Sequence, residues 1–437
     1  MKVYRKIVIA CLSFLLFATI LSACSPPKNL STPNKIAIAD VTIVDVETGS
    51  LYANQTVLIQ DDLIIEISPA NKAKIPKGTH IVNASGKYII PGLWDMHTHL
   101  EAAGKEVLPV FLANGVTAVR EMGANSFGLI RSWRNEIESG LYPGPHILAA
   151  GPIIDGPFIT NEFRVTVKNR AEARAAVDSL VALGVDFIKV HQQISRDAYF
   201  AVAQQARKHG IPFVGHKPNV VSIPEMVEAG QKSIEHIFGI PGSDAGVYPL
   251  LKESDTYVTP TLTIVDKIAR HHELSQENDP RSKYLSPALK KSWKDQLDAW
   301  GEDVDKTVEM IKGLRPEMFN RVNALQEAGV MILAGTDLGV TNIYPGSSLH
   351  EELALLVEAG LSPLEALQTA TINPAKFFKK EEMMGNVRKG KRADLVLLNA
   401  NPLEDISNTK RIHMVIYKSK VYDQDKLSEL LLRPSKF

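Results

Sequence analysis

From Ile36 to Ile90 apolar and polar positions alternate in short runs, as in IAIADVTIVDV before the break at Glu47-Thr48-Gly49. A period of two marks strands with one buried face. TVLIQ and LIIEIS flank Asp61-Asp62, which predicts a tight hairpin. The same texture returns near the other end, in ADLVLLNANP and HMVIYKSKVYD. Between these flanks the pattern changes. Continuous apolar runs at 89–96, 116–121, 145–150, 185–190, 211–216, 232–236, 256–260 and 330–336 alternate with segments of helical spacing. Two of the helical segments, AEARAAVDSLVALG and SRDAYFAVAQQARKHG, end at Gly184 and Gly210, as helix C-termini favour. Ser222…Glu225, Ser348…Glu351 and Ser362…Glu365 predict capping boxes at the start of later helices.

Strand runs that alternate with helices predict an α/β fold, here a TIM-type (β/α)8 barrel over residues 91–380. The flanks, 35–90 and 381–437, are expected to pair with each other as a small composite β-sandwich. Residues 263–328 are too long for a plain loop and read as a helical insertion after the seventh strand.

Composition narrows the partners. Lys and Arg together number 49 and are balanced by 49 Asp and Glu, which disfavours nucleic acid or another polyanion as the partner. The first residues look like an export signal. Lys2, Arg5 and Lys6 precede the apolar run IVIACLSFLLFATI, which is short for a membrane span. LSAC, ending at Cys24, resembles a bacterial lipobox. That resemblance implies cleavage of residues 1–23 and lipidation of Cys24, with 24–34 as a tether and the exported mature chain anchored to a bacterial membrane on its periplasmic or cell-surface side. The other cysteine, Cys11, lies in the discarded segment, so no intrachain disulfide is expected.

The chemistry sits at the ends of the predicted strands. PGLWDMHTHL places His97 and His99 two residues apart, on one face of a strand. The fourth strand carries Lys189, the fifth ends at His216, the sixth at His236 and the eighth at Asp337. In a (β/α)8 barrel all of these ends converge on one mouth, where imidazoles and carboxylates can share a metal. An ammonium at Lys189, between Ile188 and Val190, would be costly unless paired.

These residues, with FIKVH, SIEH, GTD, LVEAGLSPLEALQTATINPA and GKRADLVLL, resemble the amidohydrolase superfamily, in its prolidase-like and imidazolonepropionase-like branch. The resemblance implies two divalent ions, zinc by ligand type, held by His97, His99, His216, His236, Asp337 and a carbamylated Lys189. It also implies hydrolysis of an amide or peptide-like C–N bond by a metal-bridging hydroxide, with Asp337 as the catalytic proton carrier. The small-molecule substrate expected is a dipeptide or an N-acyl amino acid. Alternatives are lactam or ester hydrolysis at the same site, or a metal-bound binding lipoprotein without turnover. Relatives that cleave proline dipeptides often carry a tyrosine just past the strand-five histidine, and deaminating relatives a glutamate. This chain reads His216-Lys217-Pro218-Asn219, which argues against both. Candidate substrate contacts are His191, Lys217, Arg120, Arg164 and His350.

Overall fold

A computed structural model of the chain describes residues 34–158, 161–242 and 246–432. The signal segment, Cys24 and most of the tether lie outside the described residues. The first five strands are β1 (Lys35–Val44), β2 (Leu51–Gln60), β3 (Leu63–Pro69), β4 (His80–Asn83) and β5 (Tyr88–Pro91). The chain then runs through β6 (Leu93–Thr98), β7 (Val116–Glu121) and β8 (His146–Ala149). Next come β9 (Ile153–Asp155), β10 (Arg164–Thr166), β11 (Ile188–Val190), β12 (Phe213–Gly215), β13 (Ser233–Glu235) and β14 (Tyr257–Thr259). The last three are β15 (Leu395–Leu398), β16 (Ile412–Tyr417) and β17 (Lys420–Tyr422).

Both flanks enter one sheet of order β17-β16-β15-β5-β1-β2-β3, with β4 alongside β1. The join is antiparallel, β15 on β5, with Val396 opposite Ile90. The hairpin at Asp61-Asp62 forms, with Gln60 opposite Leu63. The expected sandwich is instead a single sheet that curls. Ile64 N–H donates to Lys391 O and Ala393 N–H to Asp62 O, so the β3 edge meets the approach to β15. Ile36, Ile38, Val57, Ile59, Leu395 and Leu397 pack inside the curl.

The central strands are parallel, in two ladders: β6-β7-β8 and β10-β9-β11-β12-β13-β14. Helices follow them, among them Phe127–Glu138, Arg170–Leu183, Arg196–His209 and Ile223–Ala229. Three of these end on left-handed glycines, two of them the expected Gly184 and Gly210, because only Gly adopts that conformation without Cβ strain. The ladders do not join into one closed barrel among the described residues. Scattered backbone bonds cross the gaps instead. Asp186 N–H donates to Ala149 O at 2.9 Å, Leu333 N–H to Val258 O at 2.9 Å and Met96 N–H to Ala334 O at 2.8 Å. The expected eighth strand, 330–336, therefore lies between β14 and β6 but forms only an isolated bridge, Val258 to Ile332. The left-handed Asp337 follows directly and ends its extended geometry.

The region 263–328 is helical, dominated by Leu262–Ala269, Pro287–Trp300 and Val304–Glu327. The capping boxes at Ser222 and Ser362 are present. The third is not. That helix starts at Ser347 behind Gly346, and Ser348 donates from its hydroxyl to Glu351 while accepting from Tyr344 N–H.

Candidate metal centre

Strand β6 carries His97, His99 follows just past its end, and a tight backbone approach holds that strand in place. A Cβ on Gly335 would lie 2.9 Å from the His97 Cβ, so residue 335 cannot carry a side chain without displacing the ligand strand. Asp95 ties the two segments together. Its carboxylate accepts from His97 N–H at 3.2 Å, Thr336 N–H at 3.0 Å and Thr336 Oγ1 at 2.7 Å. On the next strands, a Cβ on Gly215 would meet Val190 O at 2.0 Å, so this glycine lets β12 close on β11 and brings His216 beside the Lys189 strand.

The predicted ligands cluster. Asp337 Oδ1 lies 3.2 Å from His99 Nε2 and 3.5 Å from His97 Nε2. The Lys189 Nζ is 3.4 Å from His97 Nε2. Ring centroids are 4.7 Å apart for His97 and His236, and 4.5 Å for His216 and His236. His97, His236 and Asp337 each offer an atom within 4.8 Å of the others. His236 and Asp337 both have positive φ, +67° and +60°, and Thr261, which holds His236, sits at +50°. Such backbone is unfavourable for residues with a Cβ and collects where function requires it.

Two of the rings are oriented by a partner on the far nitrogen. His97 Nδ1 faces Glu235 Oε2 at 3.1 Å, and His236 Nδ1 faces Thr261 Oγ1 at 2.8 Å. Both leave Nε2 for a ligand, as metal-binding histidines require. His216 Nδ1 and Asp337 Oδ1 are buried without a hydrogen-bond partner of good geometry. Orphaned buried polar atoms of that kind are rare, and aimed into a histidine cluster they fit a divalent cation.

The electrostatics agree. Burial drives the His97 and His216 pKa values well below the ordinary imidazole value, and that of His236 to about 4, so these rings are neutral donors. Burial also lowers the Lys189 ammonium to about 8. Burial pushes His99 down, but the Asp337 carboxylate outweighs it and raises the ring. Asp337 answers in kind: burial raises it, yet His99 holds it below the usual carboxylate range.

The substrate-contact candidates divide. Lys217 and His216 line a cavity of about 1200 Å³ that also reaches His236 and Asp337. Arg164 lines a smaller one of about 300 Å³ with His99 and Asp337. His191 stands behind His216, ring centroids 3.9 Å apart, and pairs with Asp155 at 3.2 Å. Arg120 and His350 have other roles. Arg120 is fully buried and donates to Glu235 at 2.7 Å, Ser233 and Thr259 at 3.1 Å, and Met96 O, so it ties β6, β7, β13 and β14 together in the interior. His350 is buried between Asn114 O and Thr409 Oγ1, 3.0 Å from each. Sequence reasoning missed Glu235, Asp95, Asp155 and Thr261. The first two sit inside quoted motifs, SIEH and WDMHTH, where acidic residues at otherwise apolar strand positions were the available signal.

Comparison with known proteins decides the family. Residues 88–422 match the amidohydrolase family. The chain belongs to it. Amidohydrolases are hydrolases of carbon–nitrogen bonds, and this chain is one. Ochratoxinase of Aspergillus niger is 23% identical, over 85% of this chain and 83% of its own. Among solved structures, a Bifidobacterium longum protein assigned as a prolidase is 26% identical with a TM-score of 0.75, over 92% of this chain and 99% of that one. A Xaa-Pro dipeptidase with bound methionine shares the amidohydrolase fold at TM-score 0.72 and 23% identity, over 89% of this chain and 100% of that one.

Proposed function

We propose that the chain is a metal-dependent hydrolase of amide bonds in dipeptides or N-acyl amino acids, working at the mouth of a (β/α)8-type arrangement. The single observation that supports this most is the meeting of His97, His99, Lys189, His216, His236 and Asp337, drawn from distant parts of the chain, around unsatisfied buried atoms. These six would hold two divalent ions, zinc by donor type. Bound there, such ions polarise a scissile carbonyl and acidify water.

The protein's own groups do the rest. Glu235 and Thr261 keep two imidazoles in the tautomer that presents Nε2. Asp337, ionised at neutral pH, accepts the proton of the attacking water and delivers it to the departing nitrogen. Lys189, with a pKa of about 8, has an accessible neutral amine. That amine can add CO₂ and release a proton, giving a carbamate whose negative charge would suit a divalent cation held here. Lactam or ester substrates would use the same groups, and nothing in the site favours them.

The test uses the metal-loaded full chain on a panel of dipeptides and N-acyl amino acids, reading free amine. Asp337→Asn is expected to lower kcat by at least about a thousandfold and to keep most of the metal. Lys189→Ala is expected to lose metal. Near-normal turnover in Asp337→Asn, or full metal content in Lys189→Ala, contradicts the assigned roles.

A further inference from the structure

Two cavities meet at Asp337 and Gln296, and they differ in character. The smaller, on the His99 side, has polar walls at Asn161 and Arg164. The larger, on the His216 and His236 side, has an apolar wall that includes Val221, Val247, Ile264 and Ile268. Phe238 and Val220 leave 42% and 53% of their surface exposed along it. Exposed apolar side chains gathered around a catalytic mouth mark a ligand face.

Cations at both cavities are already engaged, with one exception among the described residues. Arg164 is paired with Asp155. Arg321 is paired with Glu317 and donates to Ile240 O at 2.7 Å. Lys217 follows His216 directly, lines the apolar cavity, and donates only to the carbonyl of its neighbour Pro218 at 3.2 Å. Its stem is held against Gly239, where a Cβ would lie 3.1 Å from the Lys217 Cβ.

An ammonium next to an apolar wall calls for an anion attached to an apolar body. We infer that Lys217 reads the free α-carboxylate of the substrate, and that the half seated in the large cavity is an amino acid with a large apolar side chain. In a peptide or N-acyl amino acid the acyl half has spent its carboxyl in the scissile bond, so the free carboxylate belongs to the amine half. The departing product is therefore an amino acid such as leucine or phenylalanine, and the acyl half faces the smaller cavity. This rests on the hydrolase reading above and adds its selectivity.

The test compares N-acetyl-L-leucine with N-acetyl-L-leucinol, in which the carboxylate is replaced by an uncharged alcohol, and with N-acetylglycine. The metal-loaded wild type should favour the acid over the alcohol by roughly 10- to 100-fold in kcat/KM, the range of a charge-assisted hydrogen bond. N-acetylglycine should be the poorer acid. Lys217→Met should erase the preference mainly through the KM of the acid, with metal content retained, and Lys217→Arg should restore much of it. Equal use of acid and alcohol by the wild type, or a preference that survives in Lys217→Met, overturns the role of Lys217 and leaves the hydrolase reading standing. A wild type that releases no amine from these or from any other amide in the panel overturns that reading and this inference with it.

Discussion

The Glu235 carboxylate is shared by two buried groups, Arg120 Nη2 at 2.7 Å and His97 Nδ1 at 3.1 Å. One anion thus neutralises a guanidinium in the interior and fixes a ligand tautomer. The two duties separate by mutation. Glu235→Gln keeps an acceptor for Arg120 but weakens the orientation of His97, so metal affinity should fall about 10- to 100-fold, measured by competition with a chelator. Glu235→Ala leaves Arg120 buried and unpaired and should cost about 3–5 kcal/mol of stability by denaturant titration. Unchanged metal affinity in Glu235→Gln would show that His97 is oriented by something else. At this scale the candidate ligands stood out in the sequence, because histidines and an acid at strand ends contrast with apolar neighbours. Their supports were not. Glu235 faces inward to meet Arg120 from a strand more than a hundred residues earlier, and no local pattern encodes that meeting. Arg120 itself carried a misleading signal: a charge at a strand end suggests the rim, whereas this one is fully buried.

Among the elements, the helical insertion matters most for the site. Gln296, on Pro287–Trp300, donates to Gly339 O at 2.7 Å and accepts from Thr341 N–H at 3.0 Å, just beyond Asp337. It lines both cavities. The insertion therefore clamps the loop that follows Asp337, the proposed proton acceptor. Gln296→Ala should lower kcat by about 10- to 100-fold through misplacement of Asp337, with metal content unchanged. Unaltered kcat would mean that the loop holds its shape without the insertion. The length and helical spacing of 263–328 announced helices, but the contact at Gly339 depends on how they fold back. The eighth run, 330–336, shows the reverse case: its apolar pattern predicted a strand, and the turn into Asp337 prevents a regular ladder.

For the whole molecule, His350, outside the candidate metal centre, is one of the buried rings through which pH acts. Its ring is buried and neutral, with burial lowering its pKa from 6.5 to about 4. An unfolded chain protonates this ring below pH 6.5 and the folded chain does not, so stability is lost as pH falls from 6.5 towards 4. The loss from this one group is up to about 3 kcal/mol. His350→Gln should flatten that part of the profile, as read by denaturation midpoints at pH 4, 5 and 6.5. A variant with the wild-type slope would move the effect to another group. The sequence by itself determined the alternation of strands and helices, the joining of the two flanks and which side chains are candidates for a metal, because periodicity and residue chemistry are local properties. Only the tertiary structure decided which charges are buried partners and which face substrate, since that depends on what distant segments bring to each side chain. Arg120 and Lys217 are both cations close to predicted ligand strands. One is enclosed by Glu235, Ser233 and Thr259, while the other is left beside an apolar cavity with an uncommitted ammonium.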